Sequence, residues 1–365
     1  PPAGRLEAMP ERLERLSART SGFTVTPRQY ERVAQIALGA LTLIVLSGAA
    51  VRLTGSGLGC PDWPRCYGHA YPPLDAHALI EFSNRVITVP VSLAAGAAWL
   101  LALRRRPYRR DLTRLGLLLP LGVIAQAVLG GFTVRGELDY GYVMGHFALS
   151  MLILLAAVLL VWRARPAPAE TRGADVGESE APAGQLEPAR RASDGARDRR
   201  LVVSLRGLVV LGALTIFAGT AATAAGPHAG GSPGQRINRL NFDGRSTMDF
   251  VIHRHGEIAL AFGLAALGVW WLARRRHAPS AVQRPLTLLC VLLALQGLVG
   301  LDQYKTHLPT ELVWVHVGLA CGAWLAALWA ACASGAFEPA RARFAAVRRS
   351  KRPVRTPGLV KNPGN

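Results

Sequence analysis

Cysteine is scarce in this chain, with five in 365 residues. That number excludes a disulfide-dense framework. Cys290, Cys321 and Cys332 fall inside apolar runs and read as small buried hydrophobes, which leaves Cys60 and Cys66. Acidic residues are also few: 23 Asp and Glu stand against 42 Lys and Arg, for a formal net charge of +19. So basic a chain invites a nucleic-acid reading, but the charge lies at alternate ends of apolar segments and never gathers into one patch, which excludes nucleic acid as a partner. No small-residue cleavage pattern follows the first apolar run, and residues 1–31 are polar and Arg-rich. The first run is therefore expected to stay as an anchor and not to be removed as a signal peptide.

Apolar sequence is what the chain has in plenty. Half of its residues are hydrophobic, and runs of about the 20 residues needed to span a bilayer occur near 33–51, 78–103, 115–134, 141–162, 203–225, 251–273, 285–303 and 311–334. The expected fold is an all-α membrane protein with eight transmembrane helices. Membrane lipid is then its surroundings.

Basic residues set the expected orientation. All but nine of the 42 lie in residues 1–32, the segments near 104–114, 163–206 and 274–284, and the C-terminal tail. By the positive-inside rule both termini are cytoplasmic, in a multi-pass protein of the cell membrane. Segments 53–77, 135–141, 226–250 and 304–310 then face outward. Cys60 and Cys66, in the stretch "GSGLGCPDWPRCYG", meet an oxidising compartment where a disulfide can persist.

The chain repeats itself. "GAAVRLTGSGLG" at 48–59 returns as "GTAATAAGPHAG" at 219–230, and "LLPLGVIAQAVLG" at 118–130 as "LLCVLLALQGLVG" at 288–300. Shifts of 171 or 170 residues pair Gly48 with Gly219, Trp99 with Trp270, Gln126 with Gln296, Gly130 with Gly300 and His146 with His316. Four helices match the other four in order, and an even number keeps both copies in one orientation, as a parallel repeat. The expected organisation is an N-terminal arm at 1–31, one four-helix bundle at 32–163, a disordered cytoplasmic linker at 164–200, a second bundle at 201–335 and a basic tail at 336–365. The linker reading rests on Ala, Pro, Glu and Arg with almost no large apolar side chains.

Ionisable residues inside spans are functional candidates by default. His146, His316, and the pair His253 and His255 all sit near the outer ends of even-numbered helices. A single intramembrane histidine can serve as a hydrogen-bonding residue between helices. Recurrence at one depth and a fixed shift favours axial ligation of a haem iron instead. His253 and His255 point to opposite faces of their helix, so only one can meet an iron facing His316; repeat register favours His255, with His253 as the alternative. In the first copy the matching position is Asn84, which shares a helical face with Glu81 and His77. Arg85 is an available partner for the carboxylate. His69, His228, His277 and His307 lie in loops and read as solvated.

The motifs "VRLTGSGLGCPDWPRC", "IEFSNR" and "TAAGPHAGG", with His146, His255 and His316, resemble haem A synthase, an integral membrane enzyme of terminal-oxidase assembly. The resemblance covers about residues 33–334. It implies an oxidoreductase that converts the C8 methyl of haem O to a formyl group. It further implies a cofactor haem b ligated by His255 and His316 in the second copy, and substrate haem O bound through His146 in the first. Glu81 would stand beside the reacting methyl as the catalytic residue, with Asn84, Arg85 and His77 around the substrate. Cys60 and Cys66 match outer-loop cysteines for which a structural disulfide and a part in haem delivery are both open. Haem O synthase is an implied partner, and a homo-oligomer is left open.

Two departures from the family pattern stand out. Many members have His where this chain has Asn84, so the sixth position of the substrate iron is open or taken by His77. The second outer loop has no cysteines, so no second disulfide can form there. Two other functions fit parts of the pattern: a dihaem b-type cytochrome passing electrons from quinol, and a haem or small-molecule transporter. The first should have histidine pairs in both copies, and the second broken helices at mid-membrane.

Overall fold

The computed structural model describes residues 23–166, 198–232, 234–242 and 246–338. Among them are eight α-helices: α1 (Pro27–Leu53), α2 (Ala76–Arg104), α3 (Arg110–Arg135), α4 (Tyr140–Ala164), α5 (Arg199–Ala225), α6 (Thr247–Arg275), α7 (Ser280–Lys305) and α8 (Thr310–Ala333). Each is long and apolar enough to cross a membrane, and no β-strand is present among the described residues. The chain is an all-α, multi-pass membrane protein. Most of the expected 164–200 linker, together with residues 1–22 and 339–365, lies outside the described residues.

The helices overrun the apolar segments because local signals extend them. At α1, Thr26 caps the amide of Gln29, the Gln29 side chain accepts from the Thr26 amide, and Pro27 occupies the first turn. This reciprocal cap starts the helix six residues before the first fully apolar stretch. Asp75, Asp139 and Asp198 cap α2, α4 and α5 in the same spirit, each accepting from a first-turn amide.

Helices α1 to α4 close into one ring of neighbours and α5 to α8 into another, while α8 packs on α1 and α4, and α4 on α5. Those joining contacts are the ones a pseudo-twofold axis along the helices would produce, since it exchanges α4 with α8 and α1 with α5. The two bundles share buried surface: Cys321, Trp324, Leu328 and Cys332 of α8 belong to the same apolar cluster as Leu41 of α1 and Leu154 of α4. Trp324 donates Nε1–H to the Met151 carbonyl at 3.2 Å. The Arg165 guanidinium lies 4.3 Å from the ring centre of Trp162 and 4.5 Å from that of Trp329, a pair of cation–π contacts across the bundle seam. As expected, Cys321 and Cys332 are buried thiols; Cys290 is half-buried.

At the opposite end the repeated loops touch. The Gly57 amide donates to the Gly230 carbonyl (2.9 Å), and Ser232 Oγ donates to the Gly55 carbonyl (2.8 Å). Gly55 has φ of +67°, and a Cβ there would lie 2.9 Å from the Gly231 oxygen. Glycine is required at this position on both counts. His228 is not a free loop residue: its Nε2 bonds the Leu308 carbonyl at 2.7 Å and the ring is half-buried. The loop between α5 and α6 folds down onto the α7–α8 turn, an arrangement that the composition of the loop does not reveal.

Candidate functional site

Four polar side chains face the interiors of the two bundles near the end that carries the repeated loops, and each lies against a glycine of a neighbouring helix. A Cβ on Gly48 would approach Asn84 Nδ2 at 4.0 Å; on Gly130, His146 Cε1 at 3.5 Å; on Gly219, His255 Cε1 at 3.0 Å; on Gly300, His316 Cε1 at 3.3 Å. The glycines are repeat partners, as are the side chains they admit. In transmembrane bundles small residues let neighbouring groups approach closely, and here the notches admit imidazole rings.

In the second copy the structure brings His255 and His316 together, with ring centres 6.2 Å apart and planes at 71°. His255 Nδ1 bonds the Thr215 carbonyl at 3.2 Å, the kind of outer contact that fixes a ligating ring and leaves Nε2 free. His253 points elsewhere: it is exposed, bonds the Asp249 carbonyl within its own helix (2.7 Å) and lies 6.2 Å from the Tyr304 ring.

The first copy holds His146 and Asn84 at the equivalent places. Ser47 donates its hydroxyl to Asn84 Oδ1 at 2.7 Å, which fixes the amide. Gln126 donates through Nε2 to the His146 carbonyl (2.9 Å) and to Ser150 Oγ (2.6 Å). Several buried polar atoms near these rings have no partner, and they come in repeat-related pairs: Nδ1 of His146 and His316, and Oε1 of Gln126 and Gln296. Buried polar atoms without partners need an explanation, and the same pair of vacant valences in both copies fits an interior built to receive a polar ligand.

The donor set also suits a porphyrin. Among the described residues no group of three or more His, Cys, Asp or Glu could by itself hold a metal ion. Two facing imidazoles complete an iron whose other four ligands come from the macrocycle. A haem therefore fits His255 and His316.

Glu81 is buried at 6% exposure, in the first turns of α2. One carboxylate oxygen accepts from the Cys60 amide at 2.7 Å, and the other pairs with Arg85, one helical turn on. Arg85 also donates to the carbonyls of Cys60 (3.2 Å), Asp62 (2.9 Å) and Arg65 (2.8 Å). Cys60 and Cys66 form a disulfide, both fully buried. The residues between Cys60 and Cys66 thus fold around the Arg85 guanidinium, with Glu81 neutralising it from below. Asp62 finishes the loop by accepting from the amides of Tyr67 (2.6 Å) and Gly68 (2.7 Å). These amides, Gly68 foremost, and the nearby Arg85 charge hold the Asp62 carboxyl below its ordinary range. His77 sits two turns outward of Asn84 on α2, its Nδ1 3.0 Å from Ser56 Oγ. Ser47, Thr215 and the notch glycines are participants that residue chemistry alone did not mark; for the glycines, the signal was their exact recurrence at the repeat shift.

Fold and site together define an integral membrane protein of two fused four-helix units, each with a polar site between its helices, one of them a bis-imidazole pair. A model of the COX15-CtaA family, described as cytochrome oxidase assembly protein, matches residues 31–328. The chain belongs to this family. It is similar to a haem A synthase of Shewanella oneidensis, 27% identical over 313 residues that cover 76% of this chain and 88% of the relative. It is also similar to haem A synthases of Lysinibacillus sphaericus (40% over 124 residues) and Bacillus pumilus (33% over 123 residues). Each of those two matches spans 33% of this chain and 40% of the relative.

Proposed function

We propose that the protein is a haem A synthase. It is an oxidoreductase that carries the C8 methyl of haem O through successive oxidations to the formyl group of haem A. The observation that carries this reading is the unequal filling of two equivalent sites: His255 with His316 in one copy, Asn84 with His146 in the other. A pair of strong ligands suits a resident electron-transfer haem, whereas a single one suits a haem that enters, reacts and leaves.

Haem b, when bound, supplies the redox chemistry, and His255 and His316 would hold it. The chain's own residues do the rest. His146 binds the substrate iron, while position 84, an amide held through its oxygen by Ser47, supplies no second strong ligand. The apolar helices exclude water around both sites. Glu81 stands between the substrate site and the disulfide loop, where a buried carboxylate can hold or pass a proton as the methyl is oxidised. Arg85 sets its position. The basic ends of the helices support cytoplasmic termini in the cell membrane, which puts the site and the disulfide on the outer side. Haem O synthase is the enzyme that must supply the substrate.

A dihaem cytochrome is less well supported because Asn84 replaces a ligand. A transporter is disfavoured by helices that run unbroken past both sites. The deciding experiment is coexpression with a haem O synthase in a host lacking haem A, followed by chromatography of extracted haems. Haem A should appear only when both proteins are present; haem O alone in every sample would refute the reading.

A further inference from the structure

Arg52 ends α1 as a cation with nothing to neutralise it. Its Nε is buried and meets no hydrogen-bond partner, and no ion pair reaches it among the described residues. A guanidinium stays protonated at any physiological pH. The residue as a whole is half-buried, and a cation drawn partly out of water without a counter-charge is costly.

This arginine lines a polar pocket where the two copies meet. Thr54 and Gly55 adjoin it from the first copy; His228, Ser232 and Arg239 come from the second. Among the described residues no carboxylate lines the pocket. Two arginines, with no acidic residue among the described lining, make a site for an anion, with chemistry suited to a carboxylate or phosphate.

Register says which anion. Arg52 lies four residues beyond Gly48, on the same face of α1 and about 6 Å nearer the loop end. Gly48 is the notch that faces Asn84. A flat ligand with its metal at the depth of Asn84 and His146, and with carboxylates on its outward edge, would bring one of them to Arg52. In the second copy the repeat puts Thr223 at this position, its hydroxyl bonded to the Gly219 carbonyl at 2.9 Å. The cation thus belongs to the first copy alone.

We propose that Arg52, with Arg239 across the pocket, binds a propionate carboxylate of the haem in the first copy and so distinguishes the substrate site from the cofactor site. The assignment rests on the reading that haem O occupies the first copy. It makes Arg52 a binding residue shared between the two repeats, since the pocket is incomplete without residues such as His228, Ser232 and Arg239.

The test uses the full chain purified with its cofactor haem, titrated with haem O and with haem O whose two propionates are methyl esters. Esterification should weaken binding to the unmodified protein roughly ten- to hundredfold, the scale of one charge-assisted pair. Arg52→Gln should weaken binding of the free acid by a similar factor and bind the ester no worse than the unmodified protein does. Arg52→Lys should fall between, and the spectrum of the cofactor haem should be unchanged in both variants. Inorganic phosphate should compete with haem O in the unmodified protein but not in Arg52→Gln. Equal binding of acid and ester by the unmodified protein overturns the proposal even where conversion to haem A is normal. So does phosphate that binds without affecting haem O, which would assign the pocket to a free anion. Failure of the unmodified chain to bind haem O at all would overturn the functional reading as well.

Discussion

Gly219 and His255 are in contact across α5 and α6, so close that a methyl group on the glycine would lie 3.0 Å from Cε1 of the ring. The repeat-related pair in the first bundle, Gly48 and Asn84, leaves 4.0 Å. A contact of 3.0 Å is tighter than side chains normally keep, so Gly219→Ala must shift the imidazole or α5 by a few tenths of an ångström, enough to misplace a ligating ring. It should strip most of the b-type haem from purified protein. Gly48→Ala should leave that haem intact. Haem content per protein, measured on both variants, checks the pair; full haem in Gly219→Ala would mean that the ring does not need its notch.

The facing of His255 and His316 makes a second expectation. His316→Ala and His255→Ala should each remove most b-type absorbance, and His253→Ala should remove little, since that ring is bonded to its own helix and directed away. Equal losses in the variants at 253 and 255 would sink the assignment.

Room beside Asn84 makes a third. Gly48 stands beside Asn84 as its repeat partner Gly219 stands beside His255, so an imidazole at position 84 meets the same kind of notch. Asn84→His should therefore turn protein loaded with haem O into a six-coordinate, low-spin form, visible in its absorption spectrum. An unchanged spectrum would show that residue 84 does not face the substrate iron.

Much of this arrangement could be read from the sequence, because it rests on periodicity. Eight apolar runs mark the helices, and the 170–171 shift pairs His146 with His316 and Asn84 with His255. The same shift chose His255 over His253. Other parts depend on contacts between segments far apart in the chain. Nothing in "HALIEFSNRV" says that the Cys60 amide would occupy one oxygen of Glu81, although the Arg85 partner four residues on was legible as a helical pair. Nor does an arginine at the end of an apolar run signal that its Nε is withdrawn from water, since such residues usually reach the membrane interface. His228 read as solvated because its acceptor, the Leu308 carbonyl, is 80 residues away.

The disulfide loop should respond to acid through Asp62. Its carboxyl is held below the ordinary range by the Gly68 and Tyr67 amides, with Arg85 adding to the effect. A depressed carboxyl contributes stability that is fully present above its unfolded pKa, about 3.9, and that is lost as pH falls through the lower folded value. Hydrogen exchange in segment 60–68, corrected for intrinsic rates, should thus stay slow through pH 4 and rise only below it. Asp62→Asn should exchange faster at neutral pH and lose the acid transition. The same transition in both proteins would point to another group.

Glu81 is the residue on which the proposed chemistry most depends, and its contacts define what a substitution does. Glu81→Gln keeps an oxygen that can accept from the Cys60 amide but removes the charge opposite Arg85. Breaking a buried pair in this way commonly costs about 3–5 kcal/mol. Here Arg85 retains three carbonyl partners within 3.2 Å, so the loss should fall below that range and the disulfide loop should stay closed. The second bundle makes no use of Glu81, and the cofactor haem should be bound as before. Formation of haem A should nevertheless stop, with haem O or a partly oxidised product accumulating, because an amide cannot exchange a proton at the reacting carbon. Glu81→Asp should regain only part of the activity, since the shorter side chain cannot hold both the Cys60 amide and Arg85. Normal haem A production by Glu81→Gln would leave Glu81 as the counter-ion that keeps Arg85 in place and would move the proton chemistry elsewhere in the first bundle.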